Sequence, residues 1–101
     1  MPQESTSTRE RQRVTTKEPR KYRVIMHNDD VTTMEFVIKV LMDVFFKPFK
    51  EAESIMLEIH NHNQAIVGVY SYDIAQTKVM KVKRMAQAEK FPLKLTIEPG
   101  E

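Results

Sequence analysis

The chain has 101 residues, a net charge of +2 and no cysteine. That length suits one domain with a small core, burying roughly two-thirds of the surface the unfolded chain exposes. Disulfides and thiol catalysis are excluded, and no apolar run approaches the ~20 residues that cross a bilayer. The charge is uneven: residues 1–20 hold five basic and three acidic side chains, and residues 21–101 hold eleven of each. The second part therefore lacks the basic footprint of a nucleic-acid binder.

Residues 1–20 are rich in Ser, Thr, Arg, Gln and Glu, with Val14 as the one branched aliphatic. Such a segment cannot bury enough apolar area to offset its ordering entropy, so a disordered N-terminal extension is expected there. It shows no secretory pattern, and a cytoplasmic location is expected. A core domain is expected over 21–101. Its first strand runs from Lys21 to His27, with Tyr22, Val24 and Met26 on one face and Ile25 on the other. A helix starts near Thr32, where Thr32-x-x-Glu35 reads as a capping box and Val31 with Phe36 as a hydrophobic staple. Val37, Val40, Leu41 and Val44 recur at helical spacing, and Pro48 is expected to stop the helix.

A second helix is expected from about Phe49 to Asn61, with Ala52, Ile55, Met56 and Ile59 as its apolar stripe and a turn over Asn61–Gln64. Ala65 to Tyr70 is a continuous apolar strand interrupted by Gly68, which suggests burial on both faces or a close approach. A third helix starts after Ser71 or Asp73, the latter opening a second capping-box pattern with Gln76; Ala75, Val79, Val82 and Ala86 form its inner face. Phe91-Pro92 ends it, and Leu93, Leu95 and Ile97 alternate with polar residues as a half-exposed strand. The order strand, helix, helix, strand, helix, strand implies an α+β fold, one small three-stranded antiparallel sheet packed against three helices.

Chemistry concentrates at the first strand-to-helix corner, Asn28-Asp29-Asp30. If the second helix packs beside the first, His60 approaches Asn28 and Asp29, while Met56 and Ile59 approach Met34 and Val37. The product is an apolar hole rimmed by three acceptors, which matches the three donors of a primary ammonium attached to a large apolar side chain. A protein's own first residue fits that description. The plainer readings stand beside it: Asn and Asp are common turn residues, methionine often fills core gaps, and histidine suits a helix C-terminus. A metal site drawing on His27, His60 and His62 is disfavoured, because residues two apart do not share a helix face. Adjacent Asp29 and Asp30 point apart, and no nucleophile accompanies them, so an enzyme is not expected. The basic run Lys78–Arg84 reads as the solvated side of a helix.

Several separated motifs resemble one family. Tyr22–Val37, Ile55-Met-Leu-Glu-Ile-His60, Gly68-Val-Tyr70, Ala75–Val79 and Pro92-Leu93 are similar, in order, to the ClpS adaptor core, over about residues 21–99. The resemblance implies a non-enzymatic adaptor without a cofactor. Such an adaptor binds substrates beginning with Leu, Phe, Tyr or Trp (N-degrons) and hands them to a Clp AAA+ unfoldase of the ClpA type, paired with the ClpP peptidase. It implies that Asn28, Asp29 and His60 hold the α-amine. It also implies that Asp30, Thr32, Met34, Val37, Met56, Ile59 and Leu93 line the side-chain pocket, with Met34 excluding β-branched side chains. Asp73 and Lys78 correspond to an unfoldase-docking face, and the N-terminal extension to a part in delivery. Val31, Thr33 and Ile59 depart from the family's usual aromatic, proline and valine. A monomer is expected, with no nucleic acid or membrane partner. The fold also resembles the C-terminal domain of the ribosomal stalk protein, which leaves a docking module acting through the third helix as an alternative.

Overall fold

The computed structural model describes residues 20–100. The expected N-terminal extension lies outside the described residues, apart from Arg20. The elements are β1 (Tyr22–His27), α1 (Met34–Asp43), α2 (Phe49–His62), β2 (Gln64–Tyr70), α3 (Tyr72–Glu89) and β3 (Lys94–Pro99). The sheet has the order β2-β1-β3, and both pairings are antiparallel. Three helices with one antiparallel sheet make the α+β fold that the periodicities imply.

The central strand places Val24 and Met26 in the core at full burial, against Val40 and Leu41 of α1, Ala52, Met56 and Ile59 of α2, and Ala75, Val82 and Ala86 of α3. Burying a side chain of Val or Met size contributes ~1.5–3 kcal/mol, so these positions set the packing order of the helices. Phe36 of α1 meets Phe91 edge-on, with ring centroids 5.1 Å apart, and ties the start of α1 to the end of α3.

Several local expectations are corrected or decided between alternatives. Helix α1 starts one residue later than the capping-box pattern: Thr33, not Thr32, caps it, with its hydroxyl accepting the Phe36 N–H at 3.1 Å. Thr32 is taken by Asp29 instead, and Val31 is 58% exposed, so no staple forms. The same helix ends at Asp43, before Pro48, because Phe46 turns into the left-handed region (φ 54°); Pro48 becomes the N-cap of α2. At the end of α2 the reversal is made by Asn63 alone (φ 72°), a conformation that Asn tolerates better than other side chains. Strand β2 is not covered on both faces, since Ile66 and Val69 are about half exposed. The alternative reading of Gly68 holds: a side chain there would fall on the Tyr70 ring. Gly68 pairs with Val24 where a bulge leaves Val67 as the extra residue, which resets the alternation so that Tyr70 turns inward. Of the two starts expected for α3, the one after Ser71 is observed, and Asp73 sits in the first turn.

Candidate functional site

The corner after β1 is built by its own polar side chains. The Asp29 carboxylate turns back on the loop: Oδ1 accepts the N–H groups of Val31 and Thr32 at 2.8 and 2.7 Å, and Oδ2 accepts the Thr32 hydroxyl at 2.7 Å. Partial burial alone would raise the Asp29 pKa. The hydrogen bonds from the Thr32 N–H, the Thr32 hydroxyl and the Val31 N–H outweigh it and hold the group below its ordinary value of 3.8. Asp29 is therefore ionised at neutral pH. The plain reading of Asp29 as a turn residue is correct, and it does not remove the residue from the site.

The corner is also joined to α2, because the Asn28 N–H donates to the carbonyl of Asn63 at 2.8 Å. This places the C-terminal end of α2 beside the loop. Met56, Ile59 and His60 stand three and four positions apart and share one helix face; Met34 and Val37 do the same on α1. The two faces and the corner enclose a cavity of about 260 Å³ lined by Asn28, Asp29, Asp30 and Thr32, by Met34 and Val37, and by Met56, Ile59 and His60. Val37, Met56 and Ile59 are buried and form an apolar floor, whereas Met34 is 50% exposed at the rim. Asn28, Asp30 and His60 are exposed. Asp30 makes no side-chain hydrogen bond or ion pair among the described residues. A cavity of ~150 Å³ already takes a benzene-sized group, so this one has room for a single large side chain.

Nine of the ten residues expected at the amine and side-chain sites thus meet in one place. Leu93 does not join them. It lines a second cavity of about 220 Å³ between α3 and β3, with Val79, Lys83, Lys94 and Leu95. His27 is also elsewhere, its ring bonded to the Thr96 hydroxyl at 2.8 Å. Among the described residues no group of three or more His, Asp or Glu side chains is placed to hold a metal ion.

The two residues expected at a docking face behave differently from each other. Asp73 is exposed in the first turn of α3. Lys78 is half-buried: its ammonium donates to the Val44 carbonyl at 2.7 Å and lies 4.6, 5.3 and 5.9 Å from the rings of Phe46, Tyr70 and Phe45. Burial, then the charge of Lys81, lowers its pKa. No local spacing announces this contact, because the partners lie 34 residues apart. Sequence reasoning also missed the Thr32–Asp29 hydrogen bond, for which the three-residue spacing of hydroxyl and carboxylate was an available signal.

Comparison with known proteins agrees with the fold. The family model described as the ATP-dependent Clp protease adaptor protein ClpS matches residues 17–96. The chain belongs to the ClpS family. It is 49% identical over 81 residues to the ClpS adapter of Syntrophus aciditrophicus, covering 80% of this chain and 76% of that one. Against the ClpS adapter of Acetivibrio thermocellus it is 44% identical over 96 residues, covering 95% and 97%. Its fold matches the solved structure of Agrobacterium tumefaciens ClpS2 bound to L-phenylalaninamide with a TM-score of 0.79 and 36% identity, over 82% of this chain and all of the other. As a ClpS protein it is an adaptor of Clp protease, not an enzyme, and its partners are that protease and the substrates it receives. No helix among the described residues is long and apolar enough to cross a membrane.

Proposed function

We propose that the cavity receives the first residue of a substrate, gripping its free α-ammonium at the rim and a Leu, Phe, Tyr or Trp side chain on the floor, and that the protein delivers this substrate to a ClpA-type unfoldase for degradation by ClpP. The observation that carries this reading is the division of the cavity into a buried apolar floor and an exposed ring of acceptors. The ligand of ClpS2, L-phenylalaninamide, presents the same pairing of a free amine with a bulky apolar side chain.

The acceptors match an ammonium in number and charge. Asn28 and His60 offer an amide oxygen and a ring nitrogen, and Asp29 keeps one lone pair on Oδ2. The Asp30 carboxylate, without an internal partner among the described residues, supplies further negative charge at the rim. Hydrogen bonds to a charged group contribute ~1.5–3 kcal/mol each, and burial of the side chain another ~1.5–3 kcal/mol. At the favourable end of these ranges, less an association cost of about 4 kcal/mol, roughly 8 kcal/mol is left, so about micromolar affinity is the upper bound. Asp73 and Lys78 are proposed as unfoldase contacts, Lys78 using donors that the Val44 carbonyl leaves free.

Titration of a Phe-initiated peptide against its N-acetylated twin tests the reading. Acetylation removes the charge and two donors, and a loss of at least about 100-fold is expected. Equal affinity would remove the amine from the mechanism.

A further inference from the structure

The Asp29 carboxylate holds three of the roughly four hydrogen bonds that an ionised carboxylate accepts. Oδ1 is filled by two backbone N–H groups. Oδ2 holds one partner, the Thr32 hydroxyl, and has one position left. Both residues line the cavity. We propose that Thr32 is a positioning residue for the α-ammonium, acting through Asp29: its hydroxyl pins Oδ2 so that the single unfilled lone pair faces the cavity. This inference rests on the amine reading of the cavity given above.

The two backbone bonds do not suffice for this. They come from any residue with an N–H and fix only one oxygen. The carboxylate turns as one planar unit about a broad terminal torsion, and the hydroxyl bond to Oδ2 restrains that rotation from the side opposite the two N–H groups. At position 32 only a hydroxyl does so. The bond is charge-assisted and short, 2.7 Å, and the ionised carboxylate can act in it only as acceptor, so the hydroxyl donates. A donor bound to Oδ2 also prevents a second donor from approaching along that direction. The ammonium is left with one position on Oδ2, in the cavity that Asn28 and His60 also line.

The competing account is that Thr32 matters as cavity wall, through its methyl group touching the apolar side chain of the substrate. Thr32→Val and Thr32→Ser separate the two, since valine keeps the methyl and loses the hydroxyl, and serine does the reverse. In the full chain, with the Phe-initiated peptide as probe, T32V is expected to weaken binding about five- to tenfold and T32S less than about twofold, since only one of several charge-assisted bonds is lost. Thr32→Ala serves as a second hydroxyl-free variant should T32V fold poorly, as read from its thermal unfolding. In an Asp29→Asn background, the effect of T32V should shrink below about twofold, because the group it acts through is gone.

Three results overturn the proposal: T32S weakening binding while T32V does not, T32V binding like wild type, or T32V costing the same factor with and without Asp29. Equal wild-type affinity for the acetylated twin would instead overturn the amine reading, so the two failures are told apart.

Discussion

The two ends of helix α1 use charge in opposite ways. At its N-terminal end, Asp29 is largely committed to the loop, yet Asn28, Asp30 and His60 remain exposed around an apolar floor. At its C-terminal end, Lys78 reaches from α3 to the Val44 carbonyl and lies among three aromatic rings. Its cation serves the fold before it serves any partner. One end presents charge around an open cavity and the other packs it against aromatic rings, and the contrast predicts which mutations alter peptide binding and which alter stability.

Asp29→Ala tests the first end most severely. It deletes a proposed acceptor of the ammonium and orphans three loop donors, so peptide affinity should fall about 100-fold and stability by ~1–3 kcal/mol. For a domain this size that shift lowers the melting temperature by at least about 4 °C. Intact peptide binding with lowered melting would make Asp29 a turn residue alone. Lys78→Met tests the second end. It should cost ~1–2 kcal/mol in thermal unfolding through the lost carbonyl bond and cation–π contacts, and leave peptide affinity unchanged. A loss of peptide affinity would join the two ends that the structure keeps apart.

Met34→Ala sharpens the first end. Met34 stands half-exposed at the cavity rim, so its truncation should raise affinity for Ile- and Val-initiated peptides several-fold, by ~1 kcal/mol, in a panel differing only in the first residue. An unchanged ranking would take the rim out of the selection. The smallest effect is in pH. The folded pKa of Asp29 lies below its ordinary value of 3.8, so its contribution is fully present above that value and is lost as pH falls through the folded pKa. Melting temperature measured downward from about pH 5 should show this loss, and T32V should reduce it. An identical acid limb in wild type and T32V would separate the hydroxyl from the ionisation of Asp29.

Element order was legible because each helix carries its apolar stripe at the right spacing and each break has a turn residue. The cavity was legible for the same reason: Met34 with Val37, and Met56 with Ile59 and His60, occupy helix faces that packing must bring together. Boundaries were less so. Thr32 and Thr33 both offer a hydroxyl for the cap, and only the nearby Asp29, which binds Thr32, decides between them. The early end of α1 depends on Phe46 adopting a backbone region that bulky residues avoid, which no pattern announces. Lys78 and Leu93 find their surroundings through tertiary packing, beyond the reach of local spacing.

The main-chain bond from Asn28 to Asn63 rivets the two jaws of the cleft through backbone atoms, which every substitution but proline at position 28 retains. The bond ties the loop that carries the acceptors to the helix end that carries His60, so the proposed selection is expected to fall to the shape of the mouth. It also makes alanine at position 28 a clean subtraction: one rim side chain disappears while the backbone bond that frames it is retained.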